Sequence, residues 1–322
     1  MAHGYLNASY SVFSYAAKRY GGIRAIPPLP PAISVELSSV CNLACPECVT
    51  GLGLTRRANS FIGYDLAAEI ASQSGGRVLS AWLSFQGEPM MHPEFFRITE
   101  LFAGMNPVIS TNGHFLNIEN CRRLAASPLK KIIISLDGAT PEVYTLYRKE
   151  GDHAVVMEGI RRLSGTIREM KSKLKVVIQF LVHRGNEHEA EPVSSFARSV
   201  GAGFRVKSMQ VLDPAGAGKW VTSDPRKSRW VKGDDGAWRA AESSARGCFR
   251  MWSSVVITAD GDVIPCCYDK ELRHVMGNLE RQTLSAIWRG ERYNSFREKV
   301  MSNRRQVDIC SACPEGRRLF FK

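Results

Sequence analysis

The sequence predicts an α/β fold, a partial (β/α)6 TIM-like barrel followed by a small C-terminal α+β domain. From residue 33 to residue 211, strand-length apolar segments alternate with segments that suit helices. The strand segments are apolar at nearly every position, which is typical of a parallel sheet covered by helices. Six such units suit a barrel or partial barrel better than a flat sheet. The alternation stops after residue 211, which indicates a second, smaller domain.

Each predicted strand of the barrel is a short run rich in β-branched and other apolar residues. In chain order the strands are Ile33–Leu37, Leu79–Phe85, Val108–Ser110, Lys131–Leu136, Leu174–Val182 and Phe204–Ser208. The predicted helices lie between them, and the second begins at a proline, which is favoured in a first helical turn. They are Tyr64–Ser72, Pro93–Ala103, Ile118–Ala126, Ala154–Lys171 and Glu187–Val200.

Three segments complete the predicted organisation around the barrel at residues 33–211. Residues 1–32 form an N-terminal extension, in which a short helix at Ser11–Arg19 precedes a proline-rich stretch that cannot continue a helix. Residues 212–246 are rich in Gly, Pro and Asp and are predicted to be a linker. Residues 247–322 form the last domain.

The last domain begins with a hairpin pattern, in which Asp260-Gly261 separates the strands Ser254–Thr258 and Val263–Ile264. Helices are predicted at Thr283–Trp288 and Ser295–Met301. A domain of about 75 residues is small enough to need a metal or another staple. Five of the nine cysteines lie in it.

Composition and charge exclude several classes of protein. The apolar fraction of 44% excludes a largely disordered chain, and no apolar run approaches the ~18 residues of a membrane span. The N-terminus lacks the pattern of a secretory signal, so we expect a cytoplasmic protein. The net charge of +12 includes ten basic and four acidic residues in positions 281–322. These charges predict either an ordinary solvent-exposed surface or a binding surface for an acidic protein partner. A nucleic-acid site is not supported, because the sequence has no RNA-binding motif and no zinc-finger spacing.

Nine cysteines in a chain without a secretion signal indicate metal or redox chemistry rather than disulfides. Cys41, Cys45 and Cys48 follow the first predicted strand with the spacing C-x3-C-x2-C. Three thiolates are one short of a structural zinc site, but they can hold three irons of a 4Fe–4S cube and leave the fourth iron open. The alternatives are an incomplete zinc site or unligated thiols.

Polar motifs also follow the next three strands, at the edge where such barrels place their chemistry. Each motif alone is a common turn sequence, but together they mark successive strand ends. They are Gln86-Gly87-Glu88-Pro89, Ser110-Thr111-Asn112-Gly113 and Ser135-Leu136-Asp137-Gly138.

The cysteine motif and these turns resemble the radical S-adenosylmethionine (SAM) superfamily over residues 33–210. The resemblance implies that the open iron chelates SAM, whose reductive cleavage gives a 5′-deoxyadenosyl radical that abstracts hydrogen from substrate. It implies that Gln86, Gly87 and Glu88 receive the methionyl amino group. The polar contacts to the SAM carboxylate and ribose then come from Ser110, Asn112, Ser135 and Asp137. Gln86 departs from the family's glycine, and Glu47 stands where an aromatic residue is common.

The second cysteine group suits zinc or an iron–sulfur cluster equally well by spacing alone. Its position after such a core resembles the SPASM domain and its shorter Twitch form, which implies one auxiliary 4Fe–4S cluster that transfers electrons. The predicted ligands are Cys248, Cys266, Cys310 and Cys313. Cys121 is predicted to be a core thiol, and Cys267 is predicted to be either a buried structural thiol or an alternate ligand.

Three functions follow as hypotheses. The first is a radical SAM oxidoreductase that acts on a peptide or protein as a maturase, with a flavodoxin- or ferredoxin-like electron donor steered to the basic C-terminal domain. The second is a Twitch-type dehydrogenase of a small molecule such as a sugar or aminocyclitol, favoured by the single auxiliary cluster and by the 32 residues before the core. The third is a non-catalytic, zinc-stapled binding protein. Gln179 and Lys207 are candidates for contact with substrate, although each is equally suited to a structural role.

Overall fold

The structure is a computed structural model that describes residues 2–55, 57–241, 246–311 and 313. It is an α/β fold with a mostly parallel sheet, which confirms the predicted fold class. The strands are β1 Ala32–Val35, β2 Ser80–Trp82, β3 Val108–Thr111, β4 Lys131–Ser135, β5 Lys175–Val182, β6 Gly203–Ser208, β7 Trp230–Lys232, β8 Trp238–Ala240, β9 Ser254–Ile257, β10 Asp262–Ile264 and β11 Gly277–Asn278.

Most of the helices lie between these strands in the chain. No helix in the described ranges is both long and apolar enough to cross a membrane. The helices are α1 Ala2–Gly21, α2 Tyr64–Ser74, α3 Phe95–Leu101, α4 Ile118–Ala126, α5 Pro141–Tyr147, α6 His153–Glu169, α7 Ala190–Ser199, α8 Ala217–Trp220, α9 Arg250–Ser253, α10 Leu284–Arg289, α11 Glu291–Asn303 and α12 Asp308–Ser311.

The chain divides into two compact units, and the first contains the described residues within 1–40, 55–108 and 243–316. Its strand order is β11-β10-β9-β1-β2. β9 and β10 form the predicted antiparallel hairpin, with Val263 opposite Ile257. β9 also pairs in parallel with β1, which the sequence did not predict. The C-terminal hairpin is therefore part of the sheet that begins with the first strand.

The second unit contains the described residues within 41–54 and 109–242. Its strand order is β3-β4-β5-β6, and β5 pairs in parallel with both β4 and β6. Ile134 lies opposite Ile178, and both are buried. Such apolar strands form because each face of the sheet is covered and every position gains from burial. Parallel strands end at a common edge, which sets the position of the loops that follow them.

The segment predicted to be a linker is folded in its described part, residues 212–241. It contains α8 and an antiparallel β7–β8 pair. Trp220 and Trp230 are buried in an apolar cluster that includes Met209 and Leu181 of the same unit. Two large aromatic side chains therefore anchor this segment, although its glycines and prolines predict a loop. The domain boundaries given above, at residues 32, 211 and 246, stay predictions from the sequence.

The N-terminal helix is longer than the sequence predicted, and three of the residues it buries are polar. Asn7, Ser11 and Ser14 are buried on α1. The Asn7 side chain donates hydrogen bonds to the carbonyls of Leu29 and Arg77, at 2.8 and 3.2 Å. Burial of an amide is favourable only with such partners. These bonds fix which face of α1 is turned inward.

Candidate functional site

The loop after β1 places Cys41, Cys45 and Cys48 in a tight turn of the second unit. The Cys48 N–H donates to the Cys45 carbonyl at 3.2 Å, and the Ala44 N–H donates to the Lys149 carbonyl at 3.1 Å. A Cβ atom on Gly51 would lie 2.6 Å from the Cys45 nitrogen, so only glycine fits there. The backbone therefore holds the three thiols in one short loop.

Two nitrogen donors from other parts of this unit face the thiols. Asn112 Nδ2 lies 3.9 Å from Cys41 Sγ, and Arg148 Nη1 lies 3.9 Å from Cys45 Sγ. Burial raises the pKa of the Cys45 thiol, and the Arg148 guanidinium opposes that rise. A cation and an amide directed at sulfur stabilise negative charge on it. The surroundings of these thiols thus suit an anionic group.

Asp137 holds Arg148 in this position. Its carboxylate is fully buried and accepts from Arg148 Nε at 2.6 Å and from the Leu181 N–H at 2.7 Å. The Arg148 guanidinium also lies over the Tyr147 ring, 5.4 Å from its centre. Both carboxylate oxygens of Asp137 are engaged by protein donors. This geometry assigns Asp137 to the positioning of Arg148, and its contact with SAM remains a prediction.

Arg148 was missed by the sequence analysis because helix α5 was missed. Thr140 caps that helix by accepting from the Val143 N–H, and Pro141 occupies its first position. This threonine–proline pair is a start signal that could have predicted the helix. Arg148 follows the last residue of α5, so the helix determines where the guanidinium lies.

His183 is a second residue that the sequence analysis missed. It follows β5 directly, is 1% exposed, and packs its ring 5.3 Å from the Trp220 ring. Its Nδ1 accepts from the Gly185 N–H, whereas Nε2 has no hydrogen-bond partner among the described residues. Burial lowers the pKa of His183 to about 4, so the ring is neutral near pH 7.

The three thiols also pack with an apolar cluster. The other members of this cluster are aliphatic and aromatic side chains of the second unit. Its members are Leu43, Cys45, Tyr147, Leu181, Met209, Val211, Ala217, Trp220, Val221 and Trp230, with Cys41, Cys48 and Trp238 partly buried against it.

The other predicted contacts of the second unit lie in or next to the last residues of strands. Ser110 lies within β3, and Ser135 is buried as the last residue of β4. Asn112 follows β3, and its Oδ1 accepts from the His114 N–H at 3.1 Å. Gly113 has a φ of +87°, a conformation that glycine adopts readily.

Gln86, Gly87 and Glu88 form a constrained turn of the first unit. Gly87 has a φ of +66°, and a Cβ there would lie 2.7 Å from the Val40 carbonyl oxygen. The Glu88 N–H donates to that carbonyl at 2.7 Å. The Glu88 carboxylate is buried and accepts from the Met90 N–H at 3.1 Å, while Gln86 Nε2 donates to the Lys270 carbonyl at 2.9 Å.

The second group of thiols lies in the first unit, and its members perturb one another although they are distant in sequence. Burial raises the pKa of Cys266, and Cys267, Cys310 and Cys313 raise it further. Burial raises the pKa of Cys310 to about 12, with Cys248 and Cys313 adding to the rise. Such mutual effects require the thiols to be close in space.

Both thiol groups supply ligands of the kind that iron–sulfur cubes use. Among the described residues, no three Cys, His, Asp or Glu side chains converge as ligands of one metal ion. A cube binds each thiolate at a different iron, so its ligands are spaced more widely than those of one tetrahedral ion. The first set supplies three thiolates and two facing donors, which suits a cube with one open iron.

The fold and the two thiol groups define a class of protein. Residues 35–194 match the family model of the radical SAM superfamily, and residues 248–314 match that of SPASM, an iron–sulfur cluster-binding domain. The chain belongs to the radical SAM superfamily and carries a C-terminal SPASM domain, which confirms the resemblance drawn from its motifs. The cofactors of these domains are SAM, a 4Fe–4S cluster and auxiliary iron–sulfur clusters.

Its relatives include peptide-modifying enzymes and a small-molecule dehydrogenase. Mycofactocin maturase MftC of Mycobacterium ulcerans is 28% identical over 63% of this chain and 53% of its own length. The PqqA peptide cyclase of Streptomyces rochei is 24% identical over 89% and 82%. The S-adenosyl-L-methionine-dependent 2-deoxy-scyllo-inosamine dehydrogenase of Niallia circulans is 23% identical over 87% and 91%. The chain spans about half the length of the mycofactocin maturases it matches.

Solved structures share the fold. Streptococcus suis SuiB bound to S-adenosylmethionine has a TM-score of 0.67 and 16% identity, over 98% of this chain and 77% of SuiB. BtrN in complex with AdoMet and 2-DOIA has a TM-score of 0.53 and 18% identity, over 90% of this chain and 97% of BtrN. At these identities the likeness concerns the fold alone.

Proposed function

We propose that this chain is a radical SAM oxidoreductase whose substrate is a peptide or protein. When bound, the cluster supplies the electron that cleaves SAM to methionine and a 5′-deoxyadenosyl radical, which abstracts hydrogen from substrate. The observation that carries the proposal is the loop of Cys41, Cys45 and Cys48 with Asn112 and Arg148 facing its thiols.

The residues around the loop stabilise negative charge in a buried site. The Arg148 guanidinium faces Cys45, and the buried carboxylate of Asp137 fixes its orientation. A cation beside a thiolate-bound cluster favours the reduced, more negative state, because the interaction is strong where water is excluded. Asn112 does the same for Cys41 with an amide donor.

The two strand-end sets would hold SAM itself. Glu88 is a buried carboxylate in a turn that only glycine at position 87 permits, so it is a suitable acceptor for an ammonium group. Ser110 and Ser135 supply hydroxyl donors suited to a carboxylate. Asn112 stays in the proposed set, although its Nδ2 already donates to Asn42 Oδ1 at 2.7 Å. Gln86 remains part of this proposed set through its backbone, since its side chain donates to Lys270.

We assign one auxiliary 4Fe–4S cluster to Cys248, Cys266, Cys310 and Cys313. The mutual perturbation of these thiols and the match to a cluster-binding domain support the assignment. With all four thiolates engaged, the cluster has no open iron and serves electron transfer. An acidic flavodoxin- or ferredoxin-like carrier is the proposed donor, because the chain carries a net charge of +12. Nine thiols suit the reducing cytoplasm.

An apolar core packs against the thiol loop, and Tyr147, Trp220 and Trp230 are buried in it. The choice between a peptide and a small molecule therefore rests on the relatives. The peptide cyclase and maturase relatives agree with a peptide substrate. The dehydrogenase relative matches this chain over 91% of its own length, so oxidation of a small molecule is the second candidate.

Reductive cleavage of SAM tests the proposal. The anaerobically reconstituted protein should release 5′-deoxyadenosine when dithionite and SAM are added. Cys45→Ala should abolish the release, because one iron loses its thiolate. Cys121→Ala is the matched control, since Cys121 is buried in α4 away from both thiol groups in sequence. Undiminished release by Cys45→Ala, or zinc with no cleavage by the wild type, would contradict the proposal and favour a zinc-stapled binding protein.

A further inference from the structure

Helix α1 buries three polar side chains and exposes six large apolar ones, while Tyr15 packs inward against the Trp252 ring. The inward residues Asn7, Ser11 and Ser14 are at most 6% exposed. The outward side chains are large, apolar and 42–86% exposed. They are Tyr5, Leu6, Tyr10, Val12, Phe13 and Tyr20, a set called here the α1 face.

The α1 face is continuous rather than scattered. Tyr5 and Val12 are seven residues apart, as are Leu6 and Phe13, and Tyr10 follows Leu6 by four. Residues at these spacings lie on one side of a helix. Single exposed apolar residues are ordinary, but a contiguous patch of several hundred Å² marks an interaction surface.

The rest of α1 fixes this orientation. Asn7 donates to the carbonyls of Leu29 and Arg77, and Gly4 approaches Leu79 so closely that a Cβ would lie 2.7 Å from Leu79 Cδ2. Rotating the helix to bury its apolar side would break both hydrogen bonds and place large side chains in that contact. The apolar side is therefore held outward.

We infer that the α1 face binds the α1 face of a second copy of this chain in a two-fold symmetric dimer. A two-fold interface must be complementary to itself, which a patch of one charge sign is not. Residues 2–17 contain no Asp, Glu, Lys or Arg, although the whole chain carries +12. Aromatic residues without charges are typical of interface cores.

The exposed area is sufficient for such a dimer. A buried aromatic side chain covers about 150–250 Å², so the six side chains present on the order of 600 Å² per copy. Two copies then bury on the order of 1,200 Å², above the ~1,000 Å² that a specific interface requires. Helix α1 has 20 residues, which gives a length of about 30 Å for the contact.

A membrane surface suits this helix less well. Interfacial helices combine an apolar face with Lys and Arg side chains that reach lipid headgroups. On α1 the basic residues Lys18 and Arg19 are engaged, Lys18 with Glu298 at 2.7 Å and Arg19 with the Arg246 carbonyl. The polar side of the helix is buried against its own unit.

The test is the mass of the reconstituted protein in solution. Sedimentation velocity over a wide concentration range should show a species of twice the 35.8 kDa chain mass. Leu6→Ser with Phe13→Ser should weaken the dimer by at least about tenfold in Kd, because both residues leave the interface core. Ile118→Ser is the matched control, since Ile118 is 63% exposed on α4. Iron content and circular dichroism report that each variant is folded.

The possible results distinguish a second copy of the chain from a membrane as the partner of the α1 face. A dimer that dissociates in the double variant and persists in Ile118→Ser supports the inference. A wild type that stays monomeric at every concentration overturns it. Binding of the monomer to vesicles of phosphatidylcholine and phosphatidylglycerol would assign the α1 face to a membrane, and a dimer unaffected by the double variant would place the interface elsewhere.

Discussion

Arg148 is the side chain on which the electrostatics of the first thiol group depends most. It is 14% exposed, faces Cys45 Sγ, and is bound by the fully buried Asp137. Its charge is therefore permanent and close to the cluster ligand. No motif in the sequence marks this arginine, because its role depends on how α5 returns the chain to the cysteine loop.

We predict that Arg148→Gln makes the cluster harder to reduce, since a cation beside an anionic cluster is removed. A redox titration followed by electron paramagnetic resonance should show a more negative midpoint potential, with a smaller shift in Arg148→Lys. Because Arg148→Gln leaves Asp137 buried and unpaired, at a cost of about 3–5 kcal/mol, the titration should also use the double variant with Asp137→Asn.

The matched control for this titration is Arg162→Gln, because Arg162 pairs with the exposed Glu158 on α6. Its midpoint potential should equal that of the wild type. Equal potentials in the wild type, Arg148→Gln and the double variant would show that Arg148 does not act on the cluster.

His183 predicts a pH dependence of stability. Its pKa is lowered to about 4, below the ordinary 6.5, so the unfolded chain binds its proton more readily. The stabilisation is complete above pH 6.5 and is lost as the pH falls towards 4. At pH 5.5 the loss amounts to about 1.4 kcal/mol. Thermal melts at pH 7.5 and pH 5.5 should show a smaller decrease in Tm for His183→Asn than for the wild type. The variant of the exposed His188, His188→Gln, should match the wild type.

At the scale of elements, spacing and periodicity predicted most of the fold. The predicted helix at Ile118–Ala126 is confirmed at both ends, and the C-terminal hairpin is confirmed by its antiparallel pairing. Apolar runs and turn residues are local signals, so they are readable without the rest of the molecule. The parallel pairing of β9 with β1 joins residues more than two hundred positions apart, and no local signal indicates it.

The cysteine motifs and the strand-end turns were also readable from the sequence, but their environment was not. The C-x3-C-x2-C spacing predicted the first thiol group without reference to Asn112 or Arg148. Helix α1 shows the limit most plainly, because the sequence predicted only a short helix at Ser11–Arg19, whereas the helix runs from Ala2 to Gly21 and exposes large apolar side chains. The hydrogen bonds from Asn7 to the Leu29 and Arg77 carbonyls fix which side is turned inward, and no local pattern indicates them.

The turn at Gly87 gives a prediction at this scale. Gly87→Ala combines a φ of +66° with a Cβ 2.7 Å from the Val40 carbonyl oxygen, whereas Gly53→Ala has a φ of +63° with open space around it. Strain at positive φ costs about 1–3 kcal/mol, and only Gly87→Ala adds a clash with backbone. Calorimetric melts should therefore show a larger loss of Tm for Gly87→Ala, and SAM binding should weaken in that variant alone. Equal effects of the two substitutions on Tm and on SAM binding would show that the turn at Gly87 is not part of the SAM site.

At the scale of the whole molecule, the two thiol groups belong to different compact units and have different ligand counts. In the proposed ligand sets, the three cysteines of the second unit would leave an iron open for SAM, and the four of the first unit would complete a cube for electron transfer. The two tasks are separable in principle, because each group draws its ligands from its own unit.

The most direct test of this account is the iron content and SAM cleavage of the triple variant Cys41→Ala, Cys45→Ala, Cys48→Ala beside the wild type. The wild type should hold about eight irons, and the triple variant about four with no release of 5′-deoxyadenosine. Mössbauer spectra should assign the remaining irons to one 4Fe–4S cluster. A wild type with only about four irons and stoichiometric zinc, or a triple variant that still cleaves SAM, would contradict the account.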